Sequence, residues 1–271
     1  MTSESMATSG NSPTSGSSSL QRSSGLTRFR LAPNPGPMSL DGTNSYVIGA
    51  PGSPSVAVVD PGPEDEHHLA VLASAGVVDV VLITHRHADH TEASARFHRI
   101  TGAPVRAALP EHCHGGEPLM DGEVLMAGGV EIRVVATPGH TSDSLCFHLP
   151  QDGPTGSVLT GDTILGRGTT VLDYPDGKLG DYLASLDRLE ALGPATLLPA
   201  HGPVLPALDE KCREYRDHRE QRLDQIRTAL RHLGSEASIA AVTDSVYPDV
   251  DPSVRWAAET SVAAQLDYLR S

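Results

Sequence analysis

The chain has 271 residues and a formal net charge of −14, from 20 Lys and Arg against 34 Asp and Glu. Acidity this strong argues against an extended nucleic-acid binding surface, because phosphate binding normally needs a basic stripe. No apolar run approaches the ~20 residues of a membrane span, so we expect no membrane association. The three cysteines have no paired spacing, which favours a reducing compartment and makes the cytoplasm the expected location.

The first 25 residues are rich in Ser, Thr and Gly and contain almost nothing apolar that a fold could bury. This composition predicts a disordered tail over residues 1–25. The tail has no unbroken apolar stretch, so it is not predicted to be a secretory signal. Its single arginine, Arg22, disfavours a mitochondrial transit peptide.

From residue 26 to residue 206, strand-like and helix-like segments alternate. Helical spacing of apolar residues predicts helices at 64–75, 92–101 and 179–192. Short apolar runs predict strands at 44–48, 56–60, 77–84, 105–108, 130–137, 145–149, 157–160 and 195–199. Strands alternate with helices at both ends of this region and follow one another in its middle. That order predicts an α/β fold with two sheets sandwiched between helices, an αββα sandwich.

Residues 207–271 predict three helices, at 207–233, 239–246 and 254–269. We interpret them as a small helical appendage that packs beside the active site and limits substrate size. With nine basic and twelve acidic side chains, its composition is not that of a nucleic-acid module. Its first helix carries Arg213, Arg216, Arg219 and Arg222. These could guide RNA, but pairing with acidic residues three or four positions away in the helix is the favoured interpretation.

The 13 histidines carry the functional signal. His85, His87, Asp89 and His90 follow the predicted strand at 77–84 in an H-x-H-x-D-H pattern. A loop that leaves a rigid strand can direct alternate side chains to opposite sides, so His85 and His87 could meet one metal while Asp89 and His90 face a second. Imidazole and carboxylate together suit Zn²⁺, with Mn²⁺ or Fe²⁺ as alternatives. A His-rich surface loop is the disfavoured competing interpretation.

Three more candidate ligands each follow a predicted strand. His140 comes after the strand at 130–137. Asp162 comes after the strand at 157–160, and His201 comes after the strand at 195–199. Ligands at strand ends converge on one edge of a sheet, where α/β proteins place their sites. Each is a weak signal alone, but in combination with the dense cluster the three predict a metal centre.

Taken in chain order, these seven candidate ligands resemble the ligand set of the metallo-β-lactamase-fold hydrolases. The resemblance covers roughly residues 30–205 and implies an αββα sandwich with two metals. It implies that one metal is held by His85, His87 and His140 and the second by Asp89, His90 and His201. Asp162 would bridge the two metals.

Further motifs resemble the β-lactamase-like-protein-2 subgroup of these hydrolases. They are Asn34-Pro35-Gly36-Pro37, Gly42-Thr43-Asn44-Ser45-Tyr46, Gly166-Arg167-Gly168-Thr169-Thr170 and Tyr215-Arg216-Asp217-His218-Arg219-Glu220. The subgroup adds a C-terminal winged-helix-like segment, which is compatible with residues 207–271. Its animal mitochondrial member is a single-strand-selective endoribonuclease. Residues 172–180 depart from the subgroup pattern.

The resemblance implies a metal-dependent hydrolase in which two metal ions hold a bridging hydroxide as nucleophile. Zn²⁺ is the expected metal. Asp89 and Asp162 are the candidate catalytic residues, the first by orienting the hydroxide and the second by bridging the metals. Histidine ligands need acceptors on their other ring nitrogens, and Asp60 and Thr84 are placed to serve in this way. The substrate would be a phosphodiester of single-stranded RNA, or a small-molecule ester or thioester.

Arg86, Arg167 and Thr169 are candidate substrate contacts, with Arg106 as a further source of positive charge. The competing interpretations are a solvated loop arginine for Arg86 and a structural turn for residues 166–170. Five histidines without strand-end context are predicted to lie at the surface. They are His67, His68, His112, His114 and His232.

Asp162 disfavours lactam cleavage, since lactam-cleaving members commonly place Cys or Ser near this strand end. The 38 residues between Asp162 and His201 are too few for the inserted domain of the large RNA-cleaving branch. His87 stands where the diiron flavoprotein branch has Glu. Two alternatives stay open, a mononuclear iron persulfide dioxygenase and a glyoxalase II-like thioesterase. A non-catalytic binding protein is disfavoured by the complete ligand set.

Overall fold

The computed structural model describes residues 19–271 of the chain. Most of the tail that we predict to be disordered therefore lies outside the described residues. Within the described part, no helix combines the length and the apolar character that a membrane span requires.

The end of the predicted tail differs from the expectation. Gln21–Arg22 form a short strand that pairs with the next strand of the sheet, and Leu20 packs against the core. The carboxylate of Asp152 accepts hydrogen bonds from Ser24 Oγ at 2.5 Å and from the Leu26 amide at 3.0 Å. The end of the predicted tail therefore joins the fold through pairing with the next strand and through contacts with Asp152, more than a hundred positions away, which composition does not reveal.

The first sheet has six strands that lie side by side in chain order. They are β1 (Gln21–Arg22), β2 (Thr27–Leu31), β3 (Asn44–Ile48), β4 (Ser55–Val59), β5 (Val77–Leu82) and β6 (Val105–Arg106). Neighbours from β1 to β4 pair antiparallel, whereas β4, β5 and β6 are parallel. Because β4 and β5 run in the same direction, the residues that follow them emerge at the same edge of the sheet.

The second sheet has five strands, and each lies beside its neighbour in sequence. They are β7 (Val124–Ala127), β8 (Val130–Ala136), β9 (Leu145–Leu149), β10 (Ser157–Gly161) and β11 (Thr196–Pro199). β10 and β11 are parallel, and the other neighbours are antiparallel. The carboxyl ends of β8, β10 and β11 therefore share one edge.

Within residues 19–271, seven α-helices flank the sheets. They are α1 (Glu66–Ala73), α2 (Ala88–Thr91), α3 (Ser94–Thr101), α4 (Leu179–Glu190), α5 (Leu208–Leu233), α6 (Ile239–Val246) and α7 (Arg255–Arg270). Along β3, Tyr46 and Ile48 face the second sheet while Val47 faces the layer that contains α1 and α3, as the two-residue period of a strand requires. On the second sheet, Val158 packs outward against α4 and α5. The predicted αββα sandwich is confirmed.

The C-terminal helices begin inside the main core. The first half of α5 packs through Cys212 and Tyr215 against α4 and the second sheet. Further along, Ile226 of α5 packs with Val242 and Val262 into a small separate core shared with α6 and α7. The helical segment therefore begins as an extension of the sandwich and gains its own core only in the second half of α5.

The arginines of α5 follow the predicted pairing only in part. Arg213 pairs with Asp209, four positions earlier, at 3.0 Å. Arg216 pairs instead with acidic residues of α4. Arg219 is buried and donates a hydrogen bond to the carbonyl of Thr170 at 2.6 Å, so it supports a loop of the sandwich and does not form a surface charge.

Besides β1, two further strands of the sandwich were not predicted from the sequence. β2 reads TRFRL, and its two arginines obscure the pattern of a strand. β7 has only four residues, and Val124 and Met126 on it are exposed. Both are defined by antiparallel pairing, β2 with β3 and β7 with β8. The predicted helix at 92–101 corresponds to α3, which begins two residues later, and the single turn α2 that precedes it was not predicted.

Candidate metal centre

The seven candidate ligands all follow strands whose carboxyl ends meet at one edge of the sandwich. His85 and His87 lie in the loop after β5, and Asp89 and His90 lie in α2. The other three come from the second sheet. They are His140 after β8, Asp162 after β10 and His201 after β11. Two sheets thus contribute to a single cluster of side chains.

The first ligand group consists of His85, His87 and His140. Nδ1 of His87 lies 3.0 Å from Nε2 of His85 and 3.1 Å from Nε2 of His140. In a tetrahedral zinc site with Zn–N bonds of about 2.0–2.1 Å, ligand nitrogens are about 3.3 Å apart. The three nitrogens therefore have the spacing that one shared metal ion requires.

The second ligand group consists of Asp89, His90 and His201. Oδ2 of Asp89 lies 3.2 Å from Nε2 of His201 and 3.4 Å from Nε2 of His90. The Thr43 hydroxyl donates a hydrogen bond to the same Oδ2 at 3.0 Å. This group contains a carboxylate, which the first group lacks.

Asp162 lies between the two groups and faces both. Its Oδ1 is 3.2 Å from Nε2 of His201, and its Oδ2 is 3.8 Å from Nε2 of His140. Among the described residues, Oδ1 of Asp162 and Nε2 of His90 are buried without a hydrogen-bond partner. Such atoms cost about 1–3 kcal/mol each when they stay unsatisfied. Unsatisfied ligand atoms that converge on one space, with two close-packed ligand groups around them, fit a pair of divalent cations.

Each of the five histidines uses its other ring nitrogen for an outer hydrogen bond. Nδ1 of His140 contacts the carbonyl of Val171 at 2.6 Å, and Nδ1 of His201 contacts the carbonyl of Gly42 at 3.1 Å. Because a carbonyl can only accept, both Nδ1 atoms carry a proton, and these contacts turn both Nε2 atoms towards the cluster. Such outer contacts orient metal ligands and raise their basicity.

Asp60 and Thr84 serve two histidines at once. Asp60 Oδ2 accepts hydrogen bonds from Nδ1 of His90 at 2.8 Å and from the Thr84 hydroxyl at 2.7 Å. Nδ1 of His85 lies 3.1 Å from that hydroxyl. Asp60 is buried and has a left-handed backbone, with φ of 50°. The sequence prediction that these two residues support the ligands agrees with the contacts.

The Gly-Thr-Asn-Ser-Tyr motif of the sequence explains how the His201 loop is fixed. The Asn44 side chain donates to the carbonyls of Pro199 and Gly202, each at 3.0 Å. The Tyr46 hydroxyl donates to the carbonyl of Pro199 at 2.9 Å. The motif therefore joins the first sheet to the ligand loop of the second.

The histidines of the two groups differ in pKa. Burial lowers the pKa of both His85 and His140. Burial acts in the same direction on His201, but the charges and hydrogen bonds of Asp162 and Asp89 outweigh it and raise the pKa of His201 to about 10. Burial would raise the pKa of Asp162, whereas His201 and His90 hold it well below its usual range. Burial therefore favours the neutral form of His85 and His140 in the first group, whereas the carboxylates around His201 favour its protonated form.

A carboxylate that the sequence did not reveal supports His87. Nε2 of His87 lies 3.2 Å from Oδ2 of Asp173, and the same oxygen accepts a hydrogen bond from Arg86 at 2.5 Å. Arg86 also contacts Asp143 at 3.4 Å and Asp176 at 2.5 Å. Asp173 and Asp176 belong to residues 172–180, which depart from the subgroup pattern, so no motif could have identified them.

A cavity of about 630 Å³ opens over the ligand cluster. Its floor contains five of the candidate ligands: His87, Asp89, His140, Asp162 and His201. Its walls come from residues 34–39 and 171–174 and from Trp256 and Thr260 of α7. The expectation that the C-terminal helices pack beside the site agrees with this arrangement.

The predicted substrate contacts do not reach this cavity. Arg86, Arg167 and Thr169 are absent from the described residues that line it. Arg86 is surrounded by three carboxylates, and Arg167 pairs at the surface with Asp41 at 3.2 Å. Arg106 is paired with Glu123 at 2.7 Å.

The loop that contains residues 166–170 serves the structure. The Tyr215 hydroxyl donates to the carbonyl of Gly168 at 2.9 Å, and Arg219 donates to that of Thr170. Both side chains come from α5. The motif at residues 215–220 therefore supports the motif at residues 166–170 through hydrogen bonds. They agree with the competing interpretation of this segment as a structural turn.

The prediction that His68 lies at the surface is wrong. It is fully buried on the inner side of α1, and its Nε2 lies 2.9 Å from the Ser45 hydroxyl. Burial, with the charge of Arg30 as a second cause, lowers its pKa to about 4. Of the other histidines in this prediction, His67 and His232 are exposed and His112 and His114 are half-buried.

The metallo-beta-lactamase superfamily model matches residues 38–201. A beta-lactamase-like protein 2 homolog from Caenorhabditis elegans is 31% identical over 259 residues, which are 91% of this chain and 84% of that protein. An atrochrysone carboxyl ACP thioesterase from Aspergillus fumigatus is 32% identical over 215 residues, which are 76% of this chain and 65% of that protein. A crystal structure of a metallo-beta-lactamase family protein from Thermus thermophilus is similar with a TM-score of 0.73 and 24% identity, covering 90% of this chain and 93% of that one.

The family match begins in the loop before β3 and ends at His201, so it contains all seven candidate ligands. The similarity to the nematode protein covers most of the chain and so is not confined to the part that the family model matches. The similar structure covers nine tenths of the chain with the same fold. From the shared sequence, the shared sandwich and the cluster of metal-ligating side chains, we conclude that the chain belongs to the metallo-β-lactamase superfamily, as a metal-dependent hydrolase.

Proposed function

We propose that this protein hydrolyses small-molecule esters or thioesters and uses two divalent metal ions as cofactors. Zn²⁺ is the expected metal. The observation that carries the proposal is the lining of the cavity over the ligand cluster. Outside the ligand side chains the lining is mainly apolar, and no Lys or Arg is among the described residues that line it. An ester or thioester carbonyl is uncharged and needs no cationic side chain for binding. The fungal relative named as an ACP thioesterase supports the same class of substrate.

In this proposal, His85, His87 and His140 hold one ion, and Asp89, His90 and His201 hold the other. Asp162 is shared, since its two oxygens face the two groups. When bound, the ions lower the pKa of water towards neutrality and polarise the bond under attack. Mn²⁺ and Fe²⁺ remain alternatives to Zn²⁺, because imidazole and carboxylate ligands accept all three.

The chain's own residues orient the reactants. Asp89 lies in the cavity floor with a third of its side chain exposed, so it can accept a hydrogen bond from the attacking water. The Thr43 hydroxyl fixes the carboxylate of Asp89 in that position. A thiol has a pKa of about 8.5 and leaves as a thiolate without a proton donor. The amine that a lactam would release needs such a donor, so the site suits a thioester better than a lactam.

Single-stranded RNA has less support as a substrate. Proteins contact phosphates mainly through Arg and Lys, and the arginines nearest the site are paired with carboxylates. A mononuclear iron persulfide dioxygenase also has less support, because two complete ligand groups lie side by side. A glyoxalase II-like thioesterase is a special case of the proposed function.

The test is metal content together with activity on three substrates. Protein loaded with Zn²⁺ or Mn²⁺ is assayed with a panel of acyl thioesters, a bis-aryl phosphodiester and labelled single-stranded RNA. We expect about two ions per chain and turnover of thioesters. Turnover of RNA or the phosphodiester alone would contradict the proposed substrate class, and one iron per chain without hydrolysis would favour the dioxygenase.

A further inference from the structure

We propose that Met38 and Trp256 form an apolar clamp that binds the acyl group of the substrate and selects its size. This inference rests on the proposed hydrolysis of esters or thioesters and adds which part of the substrate is recognised, and by which residues. The two side chains come from opposite ends of the chain and line the same cavity over the ligand cluster.

Met38 lies in a loop that is closed by internal hydrogen bonds and connected to the ligands. The Gly36 amide donates to the carbonyl of Leu40 at 3.1 Å, and the Ser39 hydroxyl donates to the carbonyl of Asn34 at 2.5 Å. The Asn34 side chain accepts from the amide of Thr43, whose hydroxyl contacts Asp89. The loop therefore holds Met38 at a fixed position relative to the cavity floor, although 44% of its surface is exposed.

Trp256 lies in the first turn of α7 and is 51% exposed. Thr260, one turn later on the same face of the helix, also lines the cavity. Arg255 fixes the start of the helix through ion pairs with Asp244 and with Glu259 at 2.7 and 2.9 Å. The Trp256 indole therefore lies on a helix end that ion pairs hold in place.

Met38 and Trp256 differ from the other exposed hydrophobic residues in their position at the cavity. Single exposed apolar residues are common and need no explanation. Met120 and Met126, which are exposed even more, do not line the cavity. Met38 and Trp256 instead converge on a concave site with a polar floor, and small-molecule sites have this design of apolar walls and a few placed polar groups.

The remaining wall of the cavity favours an acyl group as the occupant. Leu172 and Tyr174 add apolar surface from residues 171–174. With the carbonyl carbon at the ligand cluster, the apolar half of the substrate extends towards the clamp.

The kinetic test uses acyl-N-acetylcysteamine thioesters with acyl chains of two, four, six and eight carbons on metal-loaded protein. We expect kcat/KM to rise by roughly two- to fourfold per added methylene until the cavity is filled, from the value of a buried methylene. Trp256→Ser and Met38→Asn should each flatten this rise, lowering kcat/KM by roughly tenfold for the octanoyl substrate and by progressively less for shorter acyl groups.

Two variants control this experiment. Trp256→Phe keeps a ring in the clamp and should restore most of the chain-length dependence. Met126→Asn removes an exposed methionine of β7 that does not line the cavity, so it should behave as wild type. Equal kcat/KM for all chain lengths in the wild type would overturn the clamp and leave the proposed function standing.

A binding measurement tests the clamp without turnover. Trp256 is the single tryptophan of the chain, so its fluorescence reports on this site alone. We expect octan-2-one, which cannot be hydrolysed, to shift the emission to shorter wavelength with saturation, and acetone to have no effect at equal concentration. Met38→Asn should weaken the octan-2-one response by roughly tenfold.

The two measurements separate the two proposals. Saturable octan-2-one binding without hydrolysis of any thioester would support the clamp and contradict the proposed function. Fluorescence that does not respond to octan-2-one would overturn the clamp, whether or not thioesters are hydrolysed.

Discussion

The two ligand groups are built differently. His85, His87 and His140 form the first group from imidazoles alone, and the side chain of His87 is 34% exposed. In the second group His90 and His201 are buried, and Asp89 adds a carboxylate. The outer partner of His90 is a buried carboxylate of the core, whereas that of His87 comes from the surface loop at 172–180.

This difference has consequences for metal binding. The second group contains a carboxylate ligand and is fixed by the core, so it attracts a cation more strongly and loses little order on binding. The first group contains no carboxylate ligand, and one of its members depends on a loop carboxylate, Asp173, that is 42% exposed. We therefore expect the second group to bind its metal more tightly than the first.

The largest effect should come from the residue that both groups share. Asp162→Ala removes an anionic ligand from both groups, and we expect kcat/KM to fall by about a thousandfold. This corresponds to several kcal/mol of transition-state stabilisation. The expected metal content falls from about two ions to one or fewer, measured by elemental analysis alongside turnover. Wild-type turnover in a folded Asp162→Ala protein would refute the assignment of this residue.

His68 is a buried histidine outside the ligand cluster, and its pKa can be compared with that of His201. Its pKa is lowered from 6.5 to about 4, so the folded protein resists its protonation. The stability that its neutral form contributes is complete above pH 6.5 and is lost as the pH falls towards 4. At about 1.4 kcal/mol per pKa unit, the loss is about 3 kcal/mol.

The measurement is the free energy of unfolding in urea at pH 7 and pH 4 for wild type and His68→Gln. We expect the variant to lose about 3 kcal/mol less than wild type over this range, because glutamine does not titrate. His67→Gln, at the exposed neighbouring position, is the matched control and should follow wild type. Parallel curves for His68→Gln and wild type would contradict the shifted pKa.

Asp60→Asn tests the support of the second group. The variant can still accept the hydrogen bond of the Thr84 amide, but it removes the negative charge beside His90. Loss of such an outer partner typically lowers metal affinity 10–100-fold, and we expect the upper end, about a hundredfold, because Asp60 is buried. Competition with a chromophoric chelator measures the affinity, and circular dichroism checks that the variant is folded.

Asp173→Asn is the corresponding change in the first group and should have the smallest effect. Its partial exposure screens the charge, so we expect about a tenfold loss of affinity for one of the two ions. Asp181→Asn, at an exposed position near the start of α4, is the matched control. A larger loss for Asp173→Asn than for Asp60→Asn would reverse the expected order of the two groups.

The sequence was most informative where ligands are close in the chain or follow strands. His85, His87, Asp89 and His90 fall within six residues, so one loop and one helical turn determine their relative positions. The strand-end positions of the other three ligands rest on apolar patterns that buried strands require. The alternation of those strands with helices was also enough to predict the sandwich. β2 and β7 escaped prediction because pairing with a neighbour, and not their own pattern, defines them.

The sequence by itself determined the sandwich, the seven candidate ligands and the support from Asp60 and Thr84, because each depends on local pattern or on position at a strand end. Only the tertiary structure decided which residues surround those ligands. The contact between Asp173 and His87 spans 86 positions, and Met38 and Trp256 meet one cavity from opposite ends of the chain. The burial of His68 likewise depends on packing between α1 and β3. Such contacts follow from the packing of distant elements, for which a single sequence holds no local signal.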